Sequence, residues 1–306
     1  MIATTKDYLK LHFIVFLFGF TAILGKLVSI PSVEMVFYRT IIAATGMAIL
    51  IYFVKGSFKV SKSDLIKILL TGAIVAIHWL TFFGSGRVSN PSTSLVGFAT
   101  CSFWAAFIEP IAKRKKIQAL EVALGVIVLI GLIIIFSFNF QYALGLFLGI
   151  ISGLTAAIFS VINSKIANRV SAYTITLYEM IGACLTVVLF FPLYKILFAE
   201  NHELQLTPTP MDWVYIGTMA IACSVYAYSV MIDLSKKLSV FFIQLALNLE
   251  PVYGIVIALF VFGQQEVMGW NFYLGTAIIL SAVGLYPLIK SWQEKKQFKK
   301  SSEPKL

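Results

Sequence analysis

Residues 239–262 read SVFFIQLALNLEPVYGIVIALFVF. The run is almost wholly apolar and long enough to cross a bilayer, since about 20 apolar residues rising about 1.5 Å each span about 30 Å. Glu250 stands near its middle and Pro251 follows at once. A carboxyl at mid-membrane depth costs several kcal/mol, so it faces a bundle interior or a water-filled cavity. Pro251 removes a backbone donor and bends the helix about a turn earlier, which marks it as a hinge. Gln244 and Asn248, four apart, share one face of the same helix. A polar stripe, a carboxyl and a kink are what a helix lining a solute path needs. The competing reading is a packed helix whose Glu250 pairs with a neighbour.

The whole chain has this character. It is 59% hydrophobic and 12% charged over 306 residues, with a mean hydropathy of +0.90. That composition excludes a soluble domain and places the chain in the lipid bilayer as a polytopic, all-α membrane protein. The net charge of +10 does not point to nucleic acid, because the basic residues sit in short connections and at the C-terminus. Cys101, Cys184 and Cys223 lie inside apolar runs, without metal-ligand spacing. The first apolar run lacks a small-residue cleavage site and reads as a retained helix.

Ten apolar stretches can be marked: 11–29, 34–54, 65–86, 93–112, 120–137, 141–163, 172–198, 212–233, 239–262 and 268–289. With the N-terminus inside, 20 of the 24 basic residues fall in cytoplasmic segments. The outer connections hold only Lys26 and Arg87, and AENHELQLTPTPMD, the longest of them, has acids and no base. Lysine and arginine bias sets orientation, so both termini are expected in the cytoplasm.

Five stretches precede the uncharged SFNFQ connection and five follow it. An odd number per half turns the second half upside down, the inverted-repeat plan of many secondary transporters. The division expected is 1–138 and 139–290, with a basic, disordered cytoplasmic tail at 291–306. Tyr38-Arg39 precedes Tyr178-Glu179 by 140 residues. Residues 94–121 can be laid on 239–266 without gaps.

With Arg39 in VFYRTIIAA, the pattern LNLEPVYGIVIALFVFGQQE and ten stretches in two halves, residues 11–289 resemble the EamA family of the drug/metabolite transporter superfamily. The resemblance implies an inverted-repeat carrier in the plasma (inner) membrane that exports small metabolites such as amino acids from a central cavity shared by both halves. One segment departs from the family pattern: where the family often has an apolar tail and a Gly-Glu ending the fourth stretch, this chain has IEPIAKRKKIQALE.

Several polar residues are candidates for the substrate site. Arg39 lies inside the outer face and either attracts an anionic group or snorkels to the interface. Glu179, beside Tyr178, lies about two turns from the inner face and either binds a proton or substrate amine, or pairs with a neighbouring helix. Mirrored depths put Arg39 and Glu179 on opposite sides, so no salt bridge is expected between them. His78 is a proton-coupling candidate, although a lone histidine bonded to the next helix is commoner. Trp79, Trp104, Tyr226 and Tyr228 fall at mid-depth, away from the interfacial belt, and either wall a cavity or pack. Glu109 is expected to pair with the KRKK run at the surface. Gly125, Gly131, Gly275 and Gly284 are expected at close helix approaches.

No Walker A, HExxH or GxSxG signature is present, so neither an enzyme nor a cofactor is expected. The reading is an alternating-access secondary transporter for a small-molecule substrate, with protons as the coupling-ion candidate. A multidrug or lipid-headgroup carrier and a non-transporting scaffold are the alternatives. Substrate identity, flux direction and oligomeric state are left open.

Overall fold

The computed structural model describes residues 3–136, 142–250, 252–254, 257 and 269–302. Those residues are all-helical, with no strand among them. Eight helical segments are long and apolar enough to cross a membrane, and Ala119–Gly131 is a shorter apolar one. The first stretch is broken into α1 (Thr5–Gly19) and α2 (Thr21–Leu27); α3 is Ser32–Phe53 and α4 is Lys62–Val88. The fourth stretch is broken into α5 (Pro91–Phe98) and α6 (Cys101–Ala112), and α7 is Ala119–Phe136. α8 (Ala143–Ile166) and α9 (Ala172–Leu197) come next. The eighth stretch runs α10 (Pro210–Thr218), a π segment (Met219–Tyr228) and α11 (Ser229–Leu234). α12 (Val240–Leu247) begins the ninth stretch and α13 (Trp270–Ser302) forms the tenth. Pro251, Glu266 and most of the ninth stretch beyond Gly254 lie outside the described residues.

Helix starts follow the local chemistry. The orphan N–H groups of a first turn need an acceptor, and Ser, Thr, Asn and Asp supply it. Ser61 accepts from Asp64 N, Asn90 from Thr93 N, Ser171 from Thr174 N, Thr209 from Asp212 N and Ser239 from Phe242 N.

The packing has two-fold character. α3 packs on α9, α6 on α12 and α7 on α13, which pairs second with seventh, fourth with ninth and fifth with tenth. α4 packs on α8, and its counterpart, the π segment with α11, packs on α1. Two hydrogen bonds repeat the relation. Tyr38 donates to the carbonyl of Leu206 (2.8 Å) in the connection after α9. Tyr178 donates to the carbonyl of Phe58 (2.9 Å) in the connection after α3. The ungapped overlay of the fourth and ninth stretches needs shifting by about one turn: caps Asn90 and Ser239, and the breaks at Ala99–Thr100 and Asn248–Leu249, each stand 149 residues apart.

Close crossings use glycine because a side chain would hold the backbones apart. A Cβ on Gly72 of α4 would sit 2.3 Å from the carbonyl oxygen of Glu179 on α9, and one on Gly182 would sit 2.3 Å from that of Leu69. Gly125 abuts Phe103, and Gly131 abuts the carbonyl of Gly275. A Cβ on Gly284 would meet nothing within 4 Å among the described residues, so it is not a packing glycine there. The C-terminal segment also differs from expectation: α13 continues to Ser302, so the basic residues after Ser291 extend a helix.

Candidate functional site

Four of the helical stretches are irregular at the same place. α1 gives way to α2 at Phe20, α5 to α6 at Ala99–Thr100, the eighth stretch widens into its π segment, and α12 ends in a turn at Asn248–Leu249. Non-helical backbone at membrane depth is tolerated where it lines a cavity or is buried in protein. A cavity does lie at these interruptions. It takes in Phe18 and Thr21 beside the first break, Phe98 beside the second, Cys223 and Tyr228 from the π segment, and Gln244, Leu247 and Glu250 around the fourth. α3 and α4 complete it with Arg39, His78, Trp79, Phe82 and Phe83, and α8 adds Phe159. The space between atoms is about 540 Å³, of which about 50 Å³ is open to the centre of a water molecule. The second figure is room for a few waters.

Arg39 is 2% exposed. Its guanidinium lies over the Trp79 ring, 4.1 Å from the centroid, and 5.6 Å from that of Phe83. Nε donates to Ser224 Oγ (2.9 Å), the only hydrogen bond the group makes among the described residues. The side chain therefore does not snorkel. The aromatic faces hold it by cation–π attraction, and its two terminal nitrogens are left for the cavity. Glu250 is 4% exposed and lines the same cavity, and its carboxylate makes no hydrogen bond or ion pair among the described residues. One buried cation and one buried carboxyl thus share an aromatic chamber without neutralising partners among those residues, an arrangement that is costly unless a ligand or a proton completes it.

His78 faces the chamber with its ring packed among Phe82, Phe98 and Phe159. Its Nδ1 lies 3.0 Å from the carbonyl of Ser152 and 2.8 Å from that residue's hydroxyl. Nδ1 is thus engaged by Ser152, and Nε2 is the remaining polar atom of the ring. This is the helix-bonded histidine, on the wall of the site. Gln244 anchors to α8 through Nε2, which donates to Ser160 Oγ (2.6 Å), while its Oε1 is buried without a partner among the described residues.

Other candidates lie elsewhere. Asn248 is turned to the fourth stretch, where Nδ2 donates to Ser102 Oγ (2.9 Å). Trp104 packs against Phe103, and its buried indole N–H has no partner among the described residues. Tyr226 points away from the chamber: it is 44% exposed, edge-on to Phe13. Tyr178 ties down the connection after α3, as described. These four stand outside the cavity wall. Asn248, Trp104 and Tyr226 lie at or beyond a helix break or in the π segment, which shifts facing positions, whereas Tyr178 lies on the continuous α9 and reaches the connection after α3.

Glu179 forms a second layer. It is fully buried, and its Oε2 accepts from the Tyr228 hydroxyl (2.9 Å) and from Asn163 Nδ2 (3.3 Å). Arg39 bonds and stacks elsewhere, so the two charges are not paired. Phe18, Thr21, Phe82 and Phe159 also line the chamber, although the sequence alone does not single them out. They sit in uniformly apolar or small-residue runs.

Basic residues cluster at one end. Glu109 accepts from Lys113 Nζ (2.7 Å) and from the backbone N–H of Phe241 (2.7 Å), tying α6 to the start of α12. Arg169 pairs with Asp64 (2.6 Å) and Lys237 with Asp7 (2.9 Å), each joining one half to the other. At the opposite end Asp212 accepts from Ser29 N (2.7 Å), and Arg87 donates to the carbonyls of Gly25, Val28 and Ile30.

A crystal structure with 13% identity superposes at a TM-score of 0.73, covering 95% of this chain and 100% of that one, which shows a shared fold. An uncharacterized transporter of Bacillus subtilis (strain 168), YxxF, is 22% identical over 250 residues, 79% of this chain and 77% of that one. The sequence profile of the EamA-like transporter family matches residues 8–137 and again 143–286. Two copies of that profile cover nearly the whole chain, and this membrane protein therefore belongs to the EamA-like transporter family, within the drug/metabolite transporter superfamily.

Proposed function

We propose that the chain is a secondary transporter that exports small metabolites bearing both a carboxylate and an amine, amino acids first among them, across the plasma membrane. The observation that carries this reading is the pair Arg39 and Glu250, both buried in one chamber and neither holding an opposite charge among the described residues. A substrate carboxylate fits the terminal nitrogens of Arg39, whose planar fork suits a carboxylate. A substrate amine fits Glu250. Phe82, Phe98 and Phe159 receive an apolar side chain. The two halves are inverted copies with both termini in the cytoplasm, and they rock about the chamber so that it opens to one side at a time. The cross-half bonds at each end, Asp64–Arg169 and Asp7–Lys237 against Asp212–Ser29, make and break as the gates alternate.

Thermal unfolding of the purified protein against a panel of amino acids, nucleosides, sugars and amphipathic drugs tests the reading. A ligand at 100 times its Kd stabilises the fold by about 2.7 kcal/mol. Amino acids are expected to stabilise the native protein but not the Arg39→Ala or Glu250→Gln variants. Stabilisation by drugs alone, or amino-acid stabilisation that survives both substitutions, overturns it.

A further inference from the structure

The chamber and its charged pair leave one buried carboxyl unexplained. Glu179 lies one layer behind the cavity wall, and it touches a residue of that wall: Tyr228 lines the chamber and donates to Glu179 Oε2 at 2.9 Å. Asn163 closes the group from α8, donating to Glu179 Oε2 (3.3 Å) and to Tyr228 Oη (3.2 Å). Two buried atoms of this triad, Glu179 Oε1 and Asn163 Oδ1, have no hydrogen-bond partner among the described residues. Both are acceptors when the acid is ionised, so a proton on the carboxyl supplies a donor that the fully ionised cluster lacks.

The elements around Glu179 bring no other charge to it among the described residues. Its carbonyl packs against Gly72 of α4. α3 turns Arg39 to Ser224 and Trp79, and α11 presents the Ser229 hydroxyl to Thr176 beside it. Among the described residues the one titratable group in contact with Glu179 is Tyr228. Asn163 also lines a separate hollow, with Ser160, Met231 and Ser235, of about 230 Å³ between atoms and about 10 Å³ open to a water centre, room for about one water. Met231 is common to the hollow and the chamber, and Ser235 is common to the hollow and a vestibule of about 720 Å³ on the basic face. The hydrogen bonds among Tyr228, Glu179 and Asn163 therefore reach from the chamber wall to the hollow, and Ser235 lines both the hollow and the vestibule.

We propose that Glu179 carries the coupling proton, exchanging it with the chamber through Tyr228 and with the vestibule through the hollow at Asn163. The inference rests on the transport reading above for the coupling, and on the geometry of Glu179 for the proton exchange. In loading, a hydronium in the chamber gives a proton to Tyr228 Oη as the phenol O–H bond breaks and its proton moves to Glu179 Oε2. Tyrosine is regenerated, water is left behind, and the carboxyl is neutral. Rotation of the carboxyl about its last torsion, which is broad and two-fold, exchanges the two oxygens. In release, the O–H bond breaks, the electron pair stays on the carboxylate, and the proton passes to a water that enters beside Asn163 from the hollow, and from there to the vestibule. Tyr228 and Asn163 hold the resulting anion with the donors already in place.

Infrared difference spectroscopy of the reconstituted protein without substrate decides the proton step. As pH is stepped across the physiological range, the native protein is expected to show a protonated-carboxyl C=O band that disappears and returns. The band is absent from Glu179→Gln and shifted in Tyr228→Phe, which keeps the carboxyl and loses the phenol bond. A carboxyl kept in one protonation state for structural reasons gives no titrating band, and spectra of Glu179→Gln identical to the native ones overturn the proposal. In proteoliposomes, with radiolabelled amino acids as probe, Glu179→Gln is expected to retain counterflow and lose uptake driven by a pH gradient. Gradient-driven uptake at the native level in Glu179→Gln also overturns it. Failure of the native protein to move amino acids counts against the substrate assignment, and the infrared result still decides the role of Glu179.

Discussion

Replacing Gly72 by alanine adds one methyl group at the α4–α9 crossing, next to the site. That carbon would stand 2.3 Å from the carbonyl oxygen of Glu179, 2.9 Å from Ala183 N and 3.0 Å from Gly182 Cα, where ordinary contact begins at 3.4 Å. All three obstacles are backbone, so no rotamer change relieves the clash and the helices separate by about 1 Å. A gap of about 0.5–1 Å forfeits a quarter to a half of the dispersion attraction along the seam, and overpacked cores lose about 1–3 kcal/mol. At roughly 2–4 °C per kcal/mol for chains of this order, Gly72→Ala is expected to unfold about 2–12 °C below the native protein in detergent. The control is the same substitution at Gly217 of α10, where a Cβ would meet nothing within 4 Å among the described residues. There alanine removes only the glycine entropy cost, a gain of up to about 1 kcal/mol. Unfolding of Gly72→Ala within about 1 °C of native, or an equal effect of the two substitutions, refutes the tight-crossing argument.

Other contacts give outcomes of their own. Glu109→Gln weakens a charged acceptor shared by Lys113 Nζ and Phe241 N–H, and is expected to cost about 1–3 kcal/mol by thermal unfolding. Tyr38→Phe and Tyr178→Phe each remove one equivalent hydrogen bond; each is expected to cost about 0.5–1.5 kcal/mol, and the double variant the sum. Cys223 lines the chamber and Cys101 does not, so a small membrane-permeant thiol reagent is expected to modify Cys223 in a Cys101→Ser, Cys184→Ser background, and a stabilising ligand to slow it. Arg39→Lys keeps the charge but lacks the flat guanidinium that lies over Trp79 and bonds Ser224, and ligand-induced stabilisation is expected to fall at least about tenfold in apparent affinity.

Much of the architecture is legible in composition alone. Length and hydropathy mark the helices, and an odd number of stretches per half points to a repeated plan. Arg39, His78, Trp79, Gln244 and Glu250 are legible too, because polar or bulky groups at mid-depth stand out against an apolar background. Asn248, Trp104 and Tyr226 fall outside the chamber wall for a shared reason. A hydropathy pattern gives depth but not azimuth once a helix is broken or widened. The turn at Asn248–Leu249 and the π segment reset the facing of the residues beyond them. Phe18 and Thr21 are invisible because no proline or glycine pair announces the break at Phe20. Glu179 can be seen as a buried acid, but its link to the chamber needs Tyr228, supplied by a helix 49 residues away.

The π segment also bears on how such a chamber can be altered. An α-helix advances 3.6 residues per turn, or about 100° per residue, and a π turn holds an additional residue in its loop. Met219–Tyr228 is therefore an insertion stored within a continuous helix. Deleting a single residue from it lets the segment tighten to α geometry without shortening the crossing by more than about 1.5 Å. A wide turn and the α turn left after the deletion sweep nearly the same angle, so the helix on either side keeps its facing. Only the residues inside the tightened turn are re-aimed, and Cys223, Ser224 and Tyr228 all lie in this segment. Length variation at this one helix is thus a route by which a lineage re-aims a few chamber side chains, with the other helices and the fold left intact.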